Sequence, residues 1–444
     1  MQFYLRHIVW LSILIAGCKN NPIPVHINPD DPEILHTSVK ALTDVIVHDI
    51  FSPPVASRIY AYSSIAAYEI ARLDNTEMVS LSGQIHHMPQ LPGPDPKKEI
   101  CIPMAATLAL LKTGKALIFS EDSIEAKIRD VRHHFIGAGL SPKVLEYSEI
   151  YADTVSKHIL SWAKADNYAQ TRSFPKYSLQ KDPATWKPTP PGYMDAIEPS
   201  WNKIRTFVMD SARQFKPEPP PLFNISDKNS TFYKDVMDVY NTVKNATADQ
   251  IAIANFWDCN PYKLNVTGHV MHATKKITPG GHWINITGVV CRQENKNIGE
   301  SAAAYAMVSL ALADGFISCW DEKYRSLMVR PETVINEYID PDWIPPLQTP
   351  PFPEYTSGHS VISSAAAVVL TDIFGSDFKF EDDTENEFGL ATRSFISFEH
   401  AAEEASISRL YGGIHYRPAI ENGIKQGKAI GNLILSKIRV KEVK

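Results

Sequence analysis

Apolar residues recur at three-to-four spacing through almost every periodic stretch of this chain, and nowhere do they alternate over a sustained run. That period fits the 3.6-residue turn of an α-helix and not the two-residue repeat of a strand. A chain with this pattern buries its apolar side chains as packed helices, and a large sheet is excluded. Segments 32–50, 56–72, 104–119, 123–135 and 142–165 all carry it, with Asp122 or Ser123, and Ser141, at N-cap positions. Segments 230–245, 248–257 and the alanine-rich 301–320 continue it. The pieces Asp258–Tyr262 and Pro279–Trp283 read as turns. With 444 residues, 44% of them hydrophobic, the core can be large. The predicted fold is all-α: two packed four-helix-type bundles joined by long proline-rich connections.

Between Thr171 and Phe223 prolines recur, ending in Pro217, Pro219, Pro220 and Pro221, so this stretch cannot be continuous helix. It reads as an ordered arm or a connection between halves, with a boundary near residue 225. That gives an N-terminal helical region, 18–225, and a C-terminal catalytic helical region, 226–444.

Residues 1–17 stand apart. Arg6 precedes the apolar run Ile8–Ala16, and Ala16-Gly17 precede Cys18, which is the pattern of a signal peptide. Small residues just before a cysteine resemble the bacterial lipoprotein processing box. The expectation is an exported bacterial lipoprotein, periplasmic or at the cell surface, lipidated at Cys18; an ordinary cleaved signal is the alternative. Its membrane contact would be that lipid alone, since no later segment reads as apolar enough to span. The other four cysteines, Cys101, Cys259, Cys291 and Cys319, read equally as buried hydrophobes or one bridge. No CxxC or Cys/His spacing suggests zinc. His269 and His272, placed on one helical face, and the pairs His86-His87 and His133-His134 read as surface or core residues.

The net charge of −6 argues against a nucleic-acid partner, which needs a basic face. Cations clustered in three C-terminal segments are therefore local chemistry. The segments are Lys323-x6-Arg330-Pro331, Thr356-Ser357-Gly358-His359 and Ser408-Arg409-x5-His415. Lys323 and Arg330, about two helical turns apart, are expected on nearly the same face. Ser357-Gly358-His359 falls at a helix N-terminus, where free N–H groups and the dipole favour an anion, and Gly358 permits close approach. Gly412-Gly413 breaks the helix after Arg409 and aims His415. Gly423, Gly427 and Gly431, four apart, make a stripe for close helix packing. Each segment alone has an ordinary alternative: a solvated basic face, an N-cap, a helix–turn–helix. Together they describe a cage for a tetrahedral oxyanion.

The ordered set resembles the signature of the superfamily that joins type 2 phosphatidic acid phosphatases with vanadium-dependent haloperoxidases: K-x6-RP, PSGH, SR-x5-H-x3-D. Thr356 replaces the proline and Ala419 the final aspartate; the loss of that aspartate either counts against a phosphatase or means that another carboxylate, such as Glu421, acts instead. The contexts Ala313–Lys323, Pro351–Tyr355, Trp257–Pro261 and Pro279–Trp283 look like vanadium haloperoxidases, and the lipoprotein-type signal, the length and the segment Gly412-Gly413-Ile414-His415-Tyr416-Arg417 look most like bacterial vanadium-dependent iodoperoxidases. This resemblance covers roughly residues 230 to 435.

It implies an enzyme that oxidises halide with hydrogen peroxide at a vanadate coordinated by His415. Lys323, Arg330 and Arg409 would neutralise its oxygens, Ser357 and the Gly358 N–H would hydrogen-bond to them, and His359 would act as acid–base. Trp320, Phe352 and Tyr262 are halide-side candidates, with Asp321 and Asp258 tuning that side. Phosphate would fit the same cage. The alternative function is an acid phosphatase with a phosphohistidine at His415, and a third is a non-enzymatic oxyanion-binding lipoprotein. The expected assembly is a monomer or small homo-oligomer.

Overall fold

The computed structural model describes residues 28, 30–261, 263–267 and 269–442. Cys18 and the signal-like segment lie outside them, as does Tyr262. Five helices open the chain: α1 (Glu33–His48), α2 (Pro53–Ala71), α3 (Ile102–Lys115), α4 (Glu121–Gly137) and α5 (Pro142–Lys164), followed by the single turn α6 (Tyr168–Thr171). Ser52 and Ser141 cap α2 and α5 by accepting the backbone N–H of Val55 and Val144. The residue at the N-cap of α4 is Ser120, so Asp122 and Ser123 fall inside its first turn, contrary to expectation.

After the arm come α7 (Thr231–Lys244), α8 (Ala248–Phe256), α9 (Pro279–Gln293), α10 (Ile298–Ser326), α11 (Pro331–Tyr338), α12 (Gly358–Phe374), α13 (Phe398–Tyr411) and α14 (Arg417–Lys437). Two sequence expectations fail here. Pro279–Trp283 is the start of α9 and not a turn: Thr278 accepts the Gly281 N–H as N-cap, and Pro279 takes the first position, where a missing N–H costs nothing. His272 lies on a strand and His269 in the turn before it. The antiparallel hairpin pairs β1 (Lys263–Thr267) with β2 (Val270–Thr274), so the two histidines share no helix. A second short hairpin pairs β3 (Phe380–Asp382) with β4 (Arg393–Phe395).

The long helix α10 organises the molecule. It packs on α2 from the N-terminal region and on α12 and α9 from the C-terminal one. It is long and apolar enough to cross a membrane, against the expectation that no later segment is. Its apolar window is wholly buried within the protein, so its hydropathy is that of a core helix. The expected boundary near 225 lies at the end of the arm, and one continuous apolar core runs from Ile34 to Ile438 across it.

The arm is ordered because α10 holds it. Asp314, fully buried on that helix, accepts the backbone N–H groups of Phe207, Val208 and Met209 at 2.7, 2.8 and 2.9 Å. Further along, Trp320 and Tyr324 both donate to the Ile197 carbonyl. Buried backbone groups need such partners, and here side chains of α10 supply them to a segment that proline bars from helix.

The glycine stripe on α14 does what its spacing implies. A Cβ at Gly423, Gly427 or Gly431 would lie 2.9, 2.1 or 2.7 Å from atoms of α12. The two helix backbones therefore touch, and α12 is fixed along its length.

Candidate active site

α10 ends at Ser326, with Leu327 in the left-handed conformation. Arg330 then stands just before Pro331, which starts α11. Lys323 and Arg330 therefore do not share a helix face, contrary to the reading from their spacing. The reversal of the chain brings them together: Lys323 Nζ and the Arg330 guanidinium carbon each lie 5.1 Å from the centre of the Phe352 ring. Lys323 directs Nζ to three carbonyls of the loop before α12, those of Pro353, Glu354 and Thr356, at 3.0, 3.0 and 2.5 Å. It is thus a clamp on that loop as well as a buried charge.

The loop delivers Ser357 to the N-cap of α12, where its hydroxyl accepts from the Ser360 N–H. The Ser357 N–H donates to the Ala419 carbonyl at 3.0 Å. On the opposite side, Arg409 lies in the last turn of α13 and donates to the carbonyl of Trp257 at 2.6 Å. Gly413, with φ +73°, turns the chain tightly into His415; a Cβ there would meet Trp343 and Val243 at 3.1 Å.

His415 has a fixed tautomer. Its Nδ1 lies 2.8 Å from Oε1 of Glu354, which also accepts the Tyr416 N–H at 2.9 Å. A carboxylate is an acceptor, so Nδ1 carries the proton and Nε2 is left with its lone pair. Nε2 lies 3.1 Å from Nη1 of Arg330, which also donates to the Ile414 carbonyl. Ala419 is buried, and Glu421, the expected substitute carboxylate, is exposed on α14. The carboxylate comes from Glu354. Sequence reasoning missed it by looking downstream of His415, along one helix. The available signal was an acidic residue in an otherwise apolar, proline-flanked segment two residues before Thr356.

Trp320, Phe352, Gly358, His359, Arg409 and His415 line a cavity of about 40 Å³, joined by Asp258 and Asn260. That is room for about three waters, or one small oxyanion. Lys323, Arg330 and Ser357 form the layer behind. Burial pushes Lys323 down to about 8 and both Arg330 and Arg409 down to about 10. Burial, then the neighbouring cations, holds His359 and His415 well below the usual histidine value, so both are neutral. Burial raises Glu354 to about 7 against the pull of Arg330 and Lys323. Packing three cations out of water is unfavourable unless an anion offsets them. Two buried polar atoms point to the same need: Arg330 Nη2 and His359 Nε2 have no hydrogen-bond partner among the described residues. The donor set therefore fits a vanadate or a phosphate.

Of the halide-side candidates, Trp320 and Phe352 pack together, ring centres 5.0 Å apart, and both line the cavity. Asp258 lines it too and is held by Lys276 at 2.9 Å. Asp321 does not face it: this buried carboxylate is engaged by Asn202 at 2.8 Å, Arg325 at 3.3 Å and Arg213 at 3.5 Å, toward the arm. Its neighbour Trp320 takes the cavity side because adjacent helical positions point about 100° apart. No disulfide forms among the four cysteines described; Cys259, Cys291 and Cys319 are buried and Cys101 partly so.

Comparison with known proteins agrees with this geometry. The family model of the VCPO second helical-bundle domain matches residues 303–441. The crystal structure of the first bacterial vanadium-dependent iodoperoxidase is 50% identical, covering 93% of this chain and 98% of its own, with a TM-score of 0.88. Holo and apo structures of a bacterial vanadium-dependent chloroperoxidase, at 15% and 16% identity, each have a TM-score of 0.64. The holo structure is matched over 88% of this chain and 93% of its own, the apo structure over 87% and 94%; at that identity they show the shared fold. No curated protein matches the chain. A tautomer-fixed histidine amid buried cations, on this fold and at this identity, places the chain in the family of vanadium-dependent haloperoxidases.

Proposed function

We propose that this chain oxidises halide, iodide in particular, with hydrogen peroxide as oxidant and vanadate as resident cofactor. One observation carries the reading: Glu354 holds His415 so that an unprotonated Nε2 meets a cavity lined by Arg409 and backed by Lys323 and Arg330. A pentavalent vanadium centre supplies Lewis acidity that makes peroxide oxygen electrophilic. The residues of the chain do the rest. His415 is the ligand. Arg330, Arg409 and Lys323 neutralise the anion's charge, and Ser357 with the Gly358 N–H donates to it at the α12 N-terminus. His359, neutral and with Nε2 free, accepts the proton that peroxide gives up. Trp320 and Phe352 exclude water and offer an aromatic wall suited to a large, weakly hydrated halide. The 50% identical iodoperoxidase supports iodide as that halide.

Phosphate shares vanadate's charge and tetrahedral shape, so we read it as a competitor for the cage. We also read residues 1–17 as a signal peptide and Cys18 as the lipid anchor of an exported bacterial lipoprotein.

The test is a paired assay. Purified protein loaded with orthovanadate is expected to oxidise iodide with hydrogen peroxide, and His415→Ala to abolish this. Phosphomonoester hydrolysis without vanadate, together with no vanadate-dependent halide oxidation, would instead establish the phosphatase.

A further inference from the structure

A second group of ligand-type side chains adjoins the 257–261 wall of the cavity, which Cys259 itself lines. Cys259 follows α8, His282 stands in the first turn of α9, and Glu385 follows β3. Cys259 Sγ lies 3.4 Å from His282 Nδ1, His282 Nδ1 lies 3.3 Å from Glu385 Oε1, and Sγ lies 3.9 Å from that same oxygen. All three side chains are buried. The opposite ring nitrogen, Nε2, is 2.7 Å from Oδ2 of Asp382. Asp382 is itself fixed, its Oδ1 accepting from the Thr384 N–H and hydroxyl. Nε2 therefore donates to Asp382. Against the opposing effect of burial, Asp382 and Cys259 hold His282 well above the usual histidine value, so Nδ1 carries a second proton in the ion-free protein and must release it to bind an ion. Three ligand atoms face one point.

The spacing is that of a coordination sphere. A triangle with these three sides has its centre about 2.1 Å from each corner, within a few tenths of an ångström of zinc's bonds to nitrogen, oxygen and sulfur. The carboxylate on the far side of the histidine is the usual partner that orients a ligating imidazole. Cys259, His282 and Glu385 are the whole His, Cys, Asp or Glu group found there among the described residues, which leaves a fourth position for water.

We propose that Cys259, His282 and Glu385 bind a divalent ion of the zinc class, with Asp382 orienting the histidine. Thiolate, imidazole and one carboxylate together select zinc or cobalt over magnesium or calcium. On binding, the Cys259 S–H and His282 Nδ1–H bonds are lost, sulfur and nitrogen keep the electron pairs as ligands, and both protons leave to solvent. Spacing along the chain gives no sign of such a site, because the three side chains come from three separate segments. The ion would tie down the wall that carries the vanadate cage: Trp257 stacks on His282 with ring centres 4.6 Å apart, and its carbonyl anchors Arg409.

The test uses the full chain produced with zinc or cobalt in the medium. The wild type is expected to retain about one equivalent of metal per chain after dialysis, against a loss of at least about tenfold in Cys259→Ser and His282→Asn. Cys291→Ser, a buried cysteine elsewhere, keeps the full equivalent. The cobalt form should show a thiolate-to-cobalt absorption band that Cys259→Ser removes. X-ray absorption on the wild type needs no variant: one sulfur in the zinc shell supports the site. Substoichiometric metal in the wild type, or a zinc shell without sulfur, overturns it, as does full occupancy in Cys259→Ser.

Discussion

Glu354 is the residue on which the cage turns. It is fully buried, fixes the tautomer of His415, and comes from a loop rather than the helix that follows the histidine. Loss of such a partner weakens a metal–histidine bond by about 10–100-fold. Glu354→Gln is therefore expected to lower vanadate affinity by that factor, read by equilibrium dialysis, while Glu421→Gln leaves it unchanged. His36 offers a separate test of burial. Its Nδ1 lies 2.8 Å from the Tyr305 hydroxyl, and burial lowers it to about 4. The unfolded chain takes up this proton near pH 6.5 and the folded one only near 4, so the unfolded state binds more protons between the two. The resulting stability is complete above about pH 6.5 and is lost as pH falls toward 4. Denaturant midpoints measured across that window should slope less steeply in His36→Gln than in the wild type.

Among elements, the contact of α14 on α12 sets the position of the oxyanion site, because Ser357 and Gly358 begin α12. A Cβ at Gly427 would sit 2.1 Å from the Val361 carbonyl oxygen, and helix backbone cannot yield as a flexible side chain can. Gly427→Ala is expected to destabilise by about 3 kcal/mol, at the upper end of overpacking costs, and to lower the thermal midpoint. Vanadate affinity should fall with it. Periodicity made the type of most helices legible, and the four-residue glycine spacing made this contact legible. It failed at α9, because Pro279-Gly280-Gly281 reads as a turn unless Thr278 is seen capping the helix. It failed again between Lys323 and Arg330, because a left-handed Leu327 interrupts the helix that their spacing implied.

Over the whole molecule, α10 joins α2, α12 and the arm into one core. Asp314 supplies three acceptor contacts to arm N–H groups that would otherwise be buried without partners. Removing them costs about 1–3 kcal/mol for each group left unmade. Asp314→Ala should therefore speed amide exchange at Phe207, Val208 and Met209 and open the arm to limited proteolysis, with α12 and α14 still protected. Protection of those three amides equal to the wild type would show that other contacts hold the arm.

The all-α class and the candidate members of the oxyanion cage were legible in local chemistry. Apolar period, glycine spacing and the order of basic, hydroxyl and imidazole residues are properties of neighbours along the chain. The partner of His415 was not, and neither was the direction of Asp321. Glu354 and His415 are 61 residues apart, joined only when α12 and α14 pack backbone to backbone. Asp321 and Trp320 are adjacent, yet one faces the arm and the other the cavity. Burial and direction are set by what lies opposite a side chain, and only the folded chain supplies that.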